Sequence, residues 1–392
     1  MRAAQAWADI GRPCGFSLND ARTAVGVGAH ATLEADMPDT PDFVTRALKR
    51  ILERSETLSR IEARHLLDAI FVDLAQAGDA LPECQIRIAA LLGALAARGE
   101  TTDELAGFVD ALRARVTPVP LPEPRRLRLV DTCGTGGDQS GTFNISTAAA
   151  LVAAAAGAVV AKHGNRAVTS RCGSADVLEA LGVPVDLSPA DAADALNRHG
   201  FAFLPAPAMQ PAMRAVMPVR RAIGVRTAFN ILGPMTNPAG ASAQVLGVYA
   251  ERLVPIVAAT LAVLDTRHAF VVHGSTGDAS GMDEFSLSGS TTVAEVRGSS
   301  VRHFIATPED FALAAAPVAA LAGGDAATNA ATLRSIFSGV RGPQRDVVVM
   351  NAAAVLVTAG LAENFLAGAV LAQRTIDAGE VSRLIEHLST TP

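Results

Sequence analysis

From Phe43 onward, apolar residues recur at the spacing of a single helix face. Phe43, Val44, Ala47, Leu48, Ile51 and Leu52 form the first such face, since positions three and four apart lie on one side of an α-helix. Ser59-x-x-Glu62 has the form of a capping box and opens a second helix, faced by Leu66, Leu67, Ile70, Phe71 and Leu74. Pro82 suits the first turn of a third, whose apolar stretch runs from Ile86 to Leu95 and stops at Gly99. Thr101-x-x-Glu104 opens a fourth with Leu105, Phe108, Val109 and Leu112. With no strand pattern among them, residues 41–116 read as a small α-helical domain. Residues 1–40 hold no sustained period and read as a variable, partly disordered extension. Four prolines, Pro118, Pro120, Pro122 and Pro124, make residues 117–126 a stiff linker.

Beyond the linker the period changes. An apolar run at 127–130 reads as a buried strand, the alanine-rich 148–156 as a helix, 158–161 as a second strand and 175–181 as a helix. A helix at 189–198 and strands at 201–204 and 243–249 follow. A helix at 253–264, a strand at 269–273 and a hairpin of 292–296 with 301–305 come next. The tail from Ala326 is mostly helical, notably 346–359. This alternation places 127–392 in the α/β class, with a central, mostly parallel mixed sheet.

One stretch organises the chemistry: Asp131-Thr-Cys-Gly-Thr-Gly-Gly-Asp138, continuing to Asn144-Ile-Ser-Thr147. It lies between a strand and a helix. Gly134, Gly136 and Gly137 can adopt backbone angles closed to other residues and bring main-chain N–H groups to an anion. Ser146 or Asn144 can cap the helix, whose N-terminal end favours negative charge. The glycine spacing fits neither the Walker loop nor the dinucleotide fingerprint, and taken alone the stretch is also compatible with a plain tight turn. The next strand ends in Lys162-His-Gly-Asn-Arg166, so successive strand ends deliver a glycine loop and a cationic loop to one sheet edge. Ser170-Arg-Cys-Gly-Ser174 adds hydroxyls there. Asp283 and Glu284 are adjacent carboxylates after a strand. They suit Mg²⁺, a hard cation taking one or two protein oxygens plus substrate phosphates, or else form an exposed acidic turn.

Composition narrows the classes. A net charge of −6 and a pI near 5.8 argue against nucleic acid as a main partner. No apolar run of about 18 uncharged residues marks a membrane span. Cys14, Cys84, Cys133 and Cys172 lack metal spacing, so reduced thiols in the cytoplasm are expected.

Several motifs in register carry a resemblance. The 131–138 and 144–147 segments, Lys162-His-Gly-Asn-Arg166, Gly173-Ser-Ala-Asp-Val-Leu-Glu-Ala-Leu181 and Phe229-Asn-Ile-Leu-Gly-Pro-Met-Thr-Asn-Pro238 resemble the motif series of the anthranilate phosphoribosyltransferase family, from about Asp42 onward. The resemblance implies transfer of phosphoribosyl from phosphoribosyl pyrophosphate to the amine of anthranilate, in tryptophan biosynthesis. It implies a fold of the nucleoside phosphorylase-like type and a homodimer. It also implies a substrate site of Gly134, Gly137, Asp138, Thr142, Asn144, Ile145, Ser146, Thr147, Lys162, His163, Gly164, Asn165, Arg166, Ser170 and Ser174. Two Mg²⁺ ions are implied, one on Ser146 and Glu284, the other on Asp283 and Glu284. Arg220 falls where the family clamps the anthranilate carboxylate, and Pro234 would flank the ring. Lys162, Asn165 and Arg220 position and supply charge, with no residue as acid or base. Two departures stand out. Gln210 replaces the histidine usual before Pro-Ala-Met, and eight residues, 275–282, precede Asp283, which predicts a bulged loop. The rival readings are a paralogue with another aromatic amine acceptor, a pyrimidine nucleoside phosphorylase-like enzyme, and a non-catalytic nucleic-acid binder.

Overall fold

The computed structural model describes residues 40–167, 171–277 and 281–390. Ser170, residues 278–280 of the longer loop and the extension before Thr40 lie outside the described residues. Four helices come first: α1 (Thr40–Arg54), α2 (Arg60–Gln76), α3 (Leu81–Arg98) and α4 (Thr102–Arg113). Both capping boxes form, with Ser59 accepting from the Glu62 N–H and Thr101 from the Glu104 N–H. Gly107 lets α4 lie against α2, since a Cβ there would stand 2.8 Å from Ala63 Cβ. Among the described residues, Gly78–Arg98 alone is long and apolar enough to cross a membrane. Its Ile88, Leu91, Leu92 and Leu95 instead face the core.

The rest of the chain builds one sheet from β1 (Leu129–Gly134), β2 (Val159–Gly164), β3 (Phe201–Pro205), β4 (Ala243–Gly247), β5 (His268–Ser275), β6 (Gly281–Met282), β7 (Thr291–Arg297) and β8 (Ser300–Ala306). Their order is β3-β2-β1-β4-β5-β7-β8, with β6 also on β5. The first five pair in parallel and the others antiparallel. Parallel strands need helical crossovers, so both faces are covered. On one face the Ile145–Ala155 and Pro343–Thr358 helices meet Val130, Val160, Phe203 and Val272. On the other, Leu246, Val271 and Val296 meet the Leu253–Val263 helix and Leu66, Ile70, Leu105 and Val109 of the helical domain. Each such side chain stabilises the fold by about 1.5–3 kcal/mol, so helical domain and sheet share one core.

Three departures from the sequence expectation matter for the site. β1 runs on through Asp131, Thr132 and Cys133, and β2 through Lys162 and His163. These polar residues therefore lie inside a covered sheet rather than in loops. The helix expected at 148–156 starts at Ile145. Two helices that the apolar pattern did not predict, Pro211–Ile223 and Phe229–Leu232, follow β3.

Candidate active site

The parallel strands end together: Gly134 pairs with Gly247, Gly247 with Val272, and Gly164 with Pro205. The glycine stretch emerges from this edge. Gly136, Gly137 and Gly141 have φ of 68°, 76° and 69°, the left-handed region that favours glycine. Gly134 is needed for a different reason. A Cβ on it would fall inside the Asp283 carboxylate, and one on Gly247 would fall on the Asp283 carbonyl. Asp283 thus sits between the ends of β1 and β4. Its Oδ2 accepts from the Gly136 N–H at 2.7 Å, and its own N–H donates to Asp138 at 3.4 Å.

Behind it, Asn351 fixes the segment. This buried amide accepts from the Phe285 N–H at 3.0 Å and donates to the Phe285 carbonyl at 3.0 Å. Ser286 Oγ donates to the Ser275 carbonyl at 2.5 Å. The carboxylates therefore stay at the sheet edge despite the longer loop.

Asp138, Asp283 and Glu284 bring ligand oxygens within 4.8 Å of one another. Burial, and then repulsion from Asp138, raises the Asp283 carboxyl to about 7. Burial and the charges of Asp283 and Asp138 also push Glu284 well above the usual range, opposed by the backbone N–H of Ser146. Three crowded hard oxygens, with Asp283 and Glu284 holding their protons too tightly, fit a divalent cation such as Mg²⁺, which would neutralise the cluster. Asp138, expected as a phosphate contact, belongs with this cluster. Neither Ser146 nor Asn144 caps its helix by side chain. Asn144 instead donates to the Cys172 carbonyl at 3.3 Å and accepts from Asn329 at 2.9 Å. The Glu284 carboxylate faces the helix N-terminus in their place, where the helix dipole favours it.

The cations expected at the ligand face are otherwise engaged. Lys162 is 1% exposed, and its Nζ donates to the Thr132 carbonyl at 2.7 Å. Burial lowers its pKa, opposed first by the charge of Asp131. Burial likewise raises Asp131 to about 6, although it accepts from Asn237 at 2.8 Å and from the His163 N–H at 3.2 Å. Lys162 is a counter-charge beneath the site. Arg166 is exposed but bonded to Glu179 at 2.8 Å and Asp176 at 3.4 Å. His163 is buried, which lowers its pKa to about 4. Ile145 and Thr147 are buried too, so they face a ligand only through their backbone. Thr142 Oγ1 lies 3.2 Å from Ser140 Oγ. Gly164 closes β2, Asn165 is exposed beside it, and Ser174 opens the Ser174–Leu181 helix.

On the acceptor side, Arg220 is half-buried in the last turn of the Pro211–Ile223 helix. Its guanidinium lies 5.7 Å from the Phe229 ring centroid and 3.5 Å from Met217 Sδ. No carboxylate pairs with it among the described residues, and burial lowers its pKa. A guanidinium so placed suits a planar ligand carboxylate. Pro234 is buried, and the buried Gln210 donates Nε2 to the Thr236 carbonyl at 2.6 Å. Sequence reasoning missed Arg226, Tyr249, Asn237 and Asn351. Arg226 donates to the Gly137 carbonyl and lies 4.3 Å from the Tyr249 ring centroid.

Two family descriptions match this chain: "Glycosyl transferase family, helical bundle domain" over residues 45–116 and "Glycosyl transferase family, a/b domain" over 126–382. The anthranilate phosphoribosyltransferase of Desulforamulus reducens is 47% identical over 352 residues, 89% of this chain and 97% of that protein. The crystal structure of the Thermus thermophilus enzyme of that name is 41% identical with a TM-score of 0.79, covering 89% of this chain and 99% of its own. The Saccharomyces cerevisiae enzyme in complex with phosphoribosyl pyrophosphate and Mg is 27% identical with a TM-score of 0.81, covering 91% and 98%.

Proposed function

The chain belongs to the anthranilate phosphoribosyltransferase family, and from that premise we propose how its residues perform the reaction. It transfers the phosphoribosyl group of phosphoribosyl pyrophosphate to the amine of anthranilate, releasing pyrophosphate, in tryptophan biosynthesis. The observation that carries this reading for the site is the gathering of Asp138, Asp283 and Glu284 under a glycine loop at the sheet edge.

The aromatic amine is neutral at pH 7, so it attacks without a base, and no histidine takes that role. The barrier lies in breaking the bond between the anomeric carbon and the diphosphate while positive charge grows on the ribose. N–H groups of the 134–138 loop and of the first turn of the Ile145–Ala155 helix stabilise the departing charge. Arg220 holds the acceptor carboxylate, with Asn165 and Pro234 beside it. In-line placement then supplies much of the rate. The new C–N bond forms as the C–O bond breaks, and the amine proton passes to solvent. Mg²⁺ is used, and bound it screens the diphosphate. We assign two ions per site, one to Ser146 and Glu284 and one to Asp283 and Glu284, with Asp138 close by.

We further propose a homodimer in the cytoplasm. Exposed Leu52, Ile61 and Ile86 on the helical domain support the first, and the buried thiols of Cys84 and Cys133 support the second. Anthranilate-dependent pyrophosphate release tests the activity. Phosphorolysis of thymidine or uridine in its place would contradict it.

A further inference from the structure

The diphosphate site lacks an available cation among those the sequence singled out. Lys162 lies beneath the sheet edge with Asp131 and Thr132, and Arg166 is bonded to Glu179 and Asp176. Three carboxylates face the same loop. Arg226 is different. It follows Gly224, whose left-handed φ of 67° ends the Pro211–Ile223 helix and turns the chain toward the loop. Its exposed guanidinium reaches across the mouth of that loop to the Gly137 carbonyl. A Cβ on Gly137 would stand 3.6 Å from Arg226 Nε and 3.7 Å from its Nη2. The Tyr249 face backs the guanidinium from 4.3 Å, and no carboxylate pairs with it among the described residues. A carbonyl and a ring fix an arginine in place while leaving its charge uncompensated.

We infer that Arg226 is the cation of the diphosphate site, seated over the Gly137 carbonyl and able to pass from it to a diphosphate oxygen of phosphoribosyl pyrophosphate. The inference rests on reading the glycine loop as the phosphate site. The exchange replaces a charge-to-carbonyl bond with a charge-to-charge bond and frees the Gly137 peptide to turn toward the ligand. Arg226 and Arg220 then sit at the two ends of one segment, and each holds one substrate's anion.

The test compares three variants of the full chain by calorimetry with phosphoribosyl pyrophosphate and Mg²⁺, thermal unfolding confirming each fold. Arg226→Gln keeps a donor for the Gly137 carbonyl but removes the charge, whereas Arg226→Lys keeps the charge. The expected result is a Kd raised about tenfold or more in Arg226→Gln and Arg226→Ala, and within about threefold of wild type in Arg226→Lys. The KM for anthranilate should stay within about twofold in all three. Wild-type binding in Arg226→Gln, or Arg226→Lys as weak as Arg226→Ala, would make Arg226 a loop latch and overturn the inference. Gly137→Val separates the two levels of the argument. If it too keeps full binding, the phosphate reading of the loop fails; if it alone loses binding, only the role of Arg226 fails.

Discussion

The carboxylate of Asp283 accepts the backbone N–H of Gly136 at 2.7 Å, so the glycine loop holds one of the protein's own anions where it would otherwise meet a ligand's. The contact links two features 147 residues apart in sequence, the strand-end loop and the acidic pair. It also makes the loop and the carboxylates respond together to charge.

A first prediction concerns the cost of that crowding. Asp283 is raised to about 7 from 3.8, so its folded form takes up a proton more readily than its unfolded form. Its contribution to stability is full below pH 3.8 and is lost as pH rises through about 7. At pH 8 without metal, Asp283→Asn with Glu284→Gln should therefore raise the thermal midpoint. The same change should lower turnover at least about tenfold and remove the stabilisation by Mg²⁺ with phosphoribosyl pyrophosphate. A double variant that is no more stable and near-normal in turnover would refute the cluster's role.

Gly247 offers a steric test. Its added Cβ would fall on the Asp283 carbonyl, and that is backbone rather than a flexible side-chain end. Gly247→Ala should displace the acidic pair and lower kcat/KM by about 10²-fold, since misplacement of about 1 Å suffices for such a loss. Steady-state kinetics within a few-fold of wild type would show that the carboxylates do not need their place between β1 and β4.

Much of this site was legible in the chain. Glycine spacing and the acidic pair are local patterns, and most strands and helices followed from period, whereas Arg220 came from the family resemblance and the Pro211–Ile223 and Phe229–Leu232 helices had no apolar signal. What failed was the assumption that a polar residue after an apolar run leaves the strand. Lys162 and Asp131 stay in strands because the fold gives each its own partners, the Thr132 carbonyl for Lys162 and Asn237 with the His163 N–H for Asp131, and their opposite charges favour each other. No single-residue pattern reveals buried groups of this kind. Arg226 and Asn351 carried no signal either. Arg226 matters through a carbonyl 89 residues away and Asn351 through a peptide 66 residues away, so only the fold discloses them.

The buried neighbours His163 and Asp131 predict opposed pH effects. His163 is near 4 folded and 6.5 unfolded, so stability falls as pH drops through that window, by about 1.4 kcal/mol per unit. Asp131 is near 6 folded and 3.8 unfolded, so its effect has the opposite sign between those values. The two largely cancel between pH 6 and 4. In His163→Leu only the Asp131 effect remains, and its urea-unfolding free energy should gain about 1 kcal/mol over wild type on going from pH 6 to 5. Parallel curves for the two proteins would contradict the buried, neutral His163.

Gln210 is tied to the Thr236 carbonyl at 2.6 Å, two residues after Pro234. Gln210→Ala leaves that carbonyl unpaired and should raise the anthranilate KM by about fivefold with kcat largely kept, while Gln210→His restores a donor and a ring face and should lower KM. Arg220→Ala, which removes the partner of a charged group, should cost far more. Equal effects of the two alanine variants would place the acceptor carboxylate elsewhere.

The most direct measurement is product analysis by mass spectrometry after incubating the full-length protein with phosphoribosyl pyrophosphate, anthranilate and Mg²⁺. The account predicts N-(5-phosphoribosyl)anthranilate and pyrophosphate in equal amounts, lost on chelation and reduced at least about tenfold in the Asp283→Asn, Glu284→Gln variant. No product from anthranilate, alongside turnover of a different aromatic amine or phosphorolysis of a nucleoside, would contradict it.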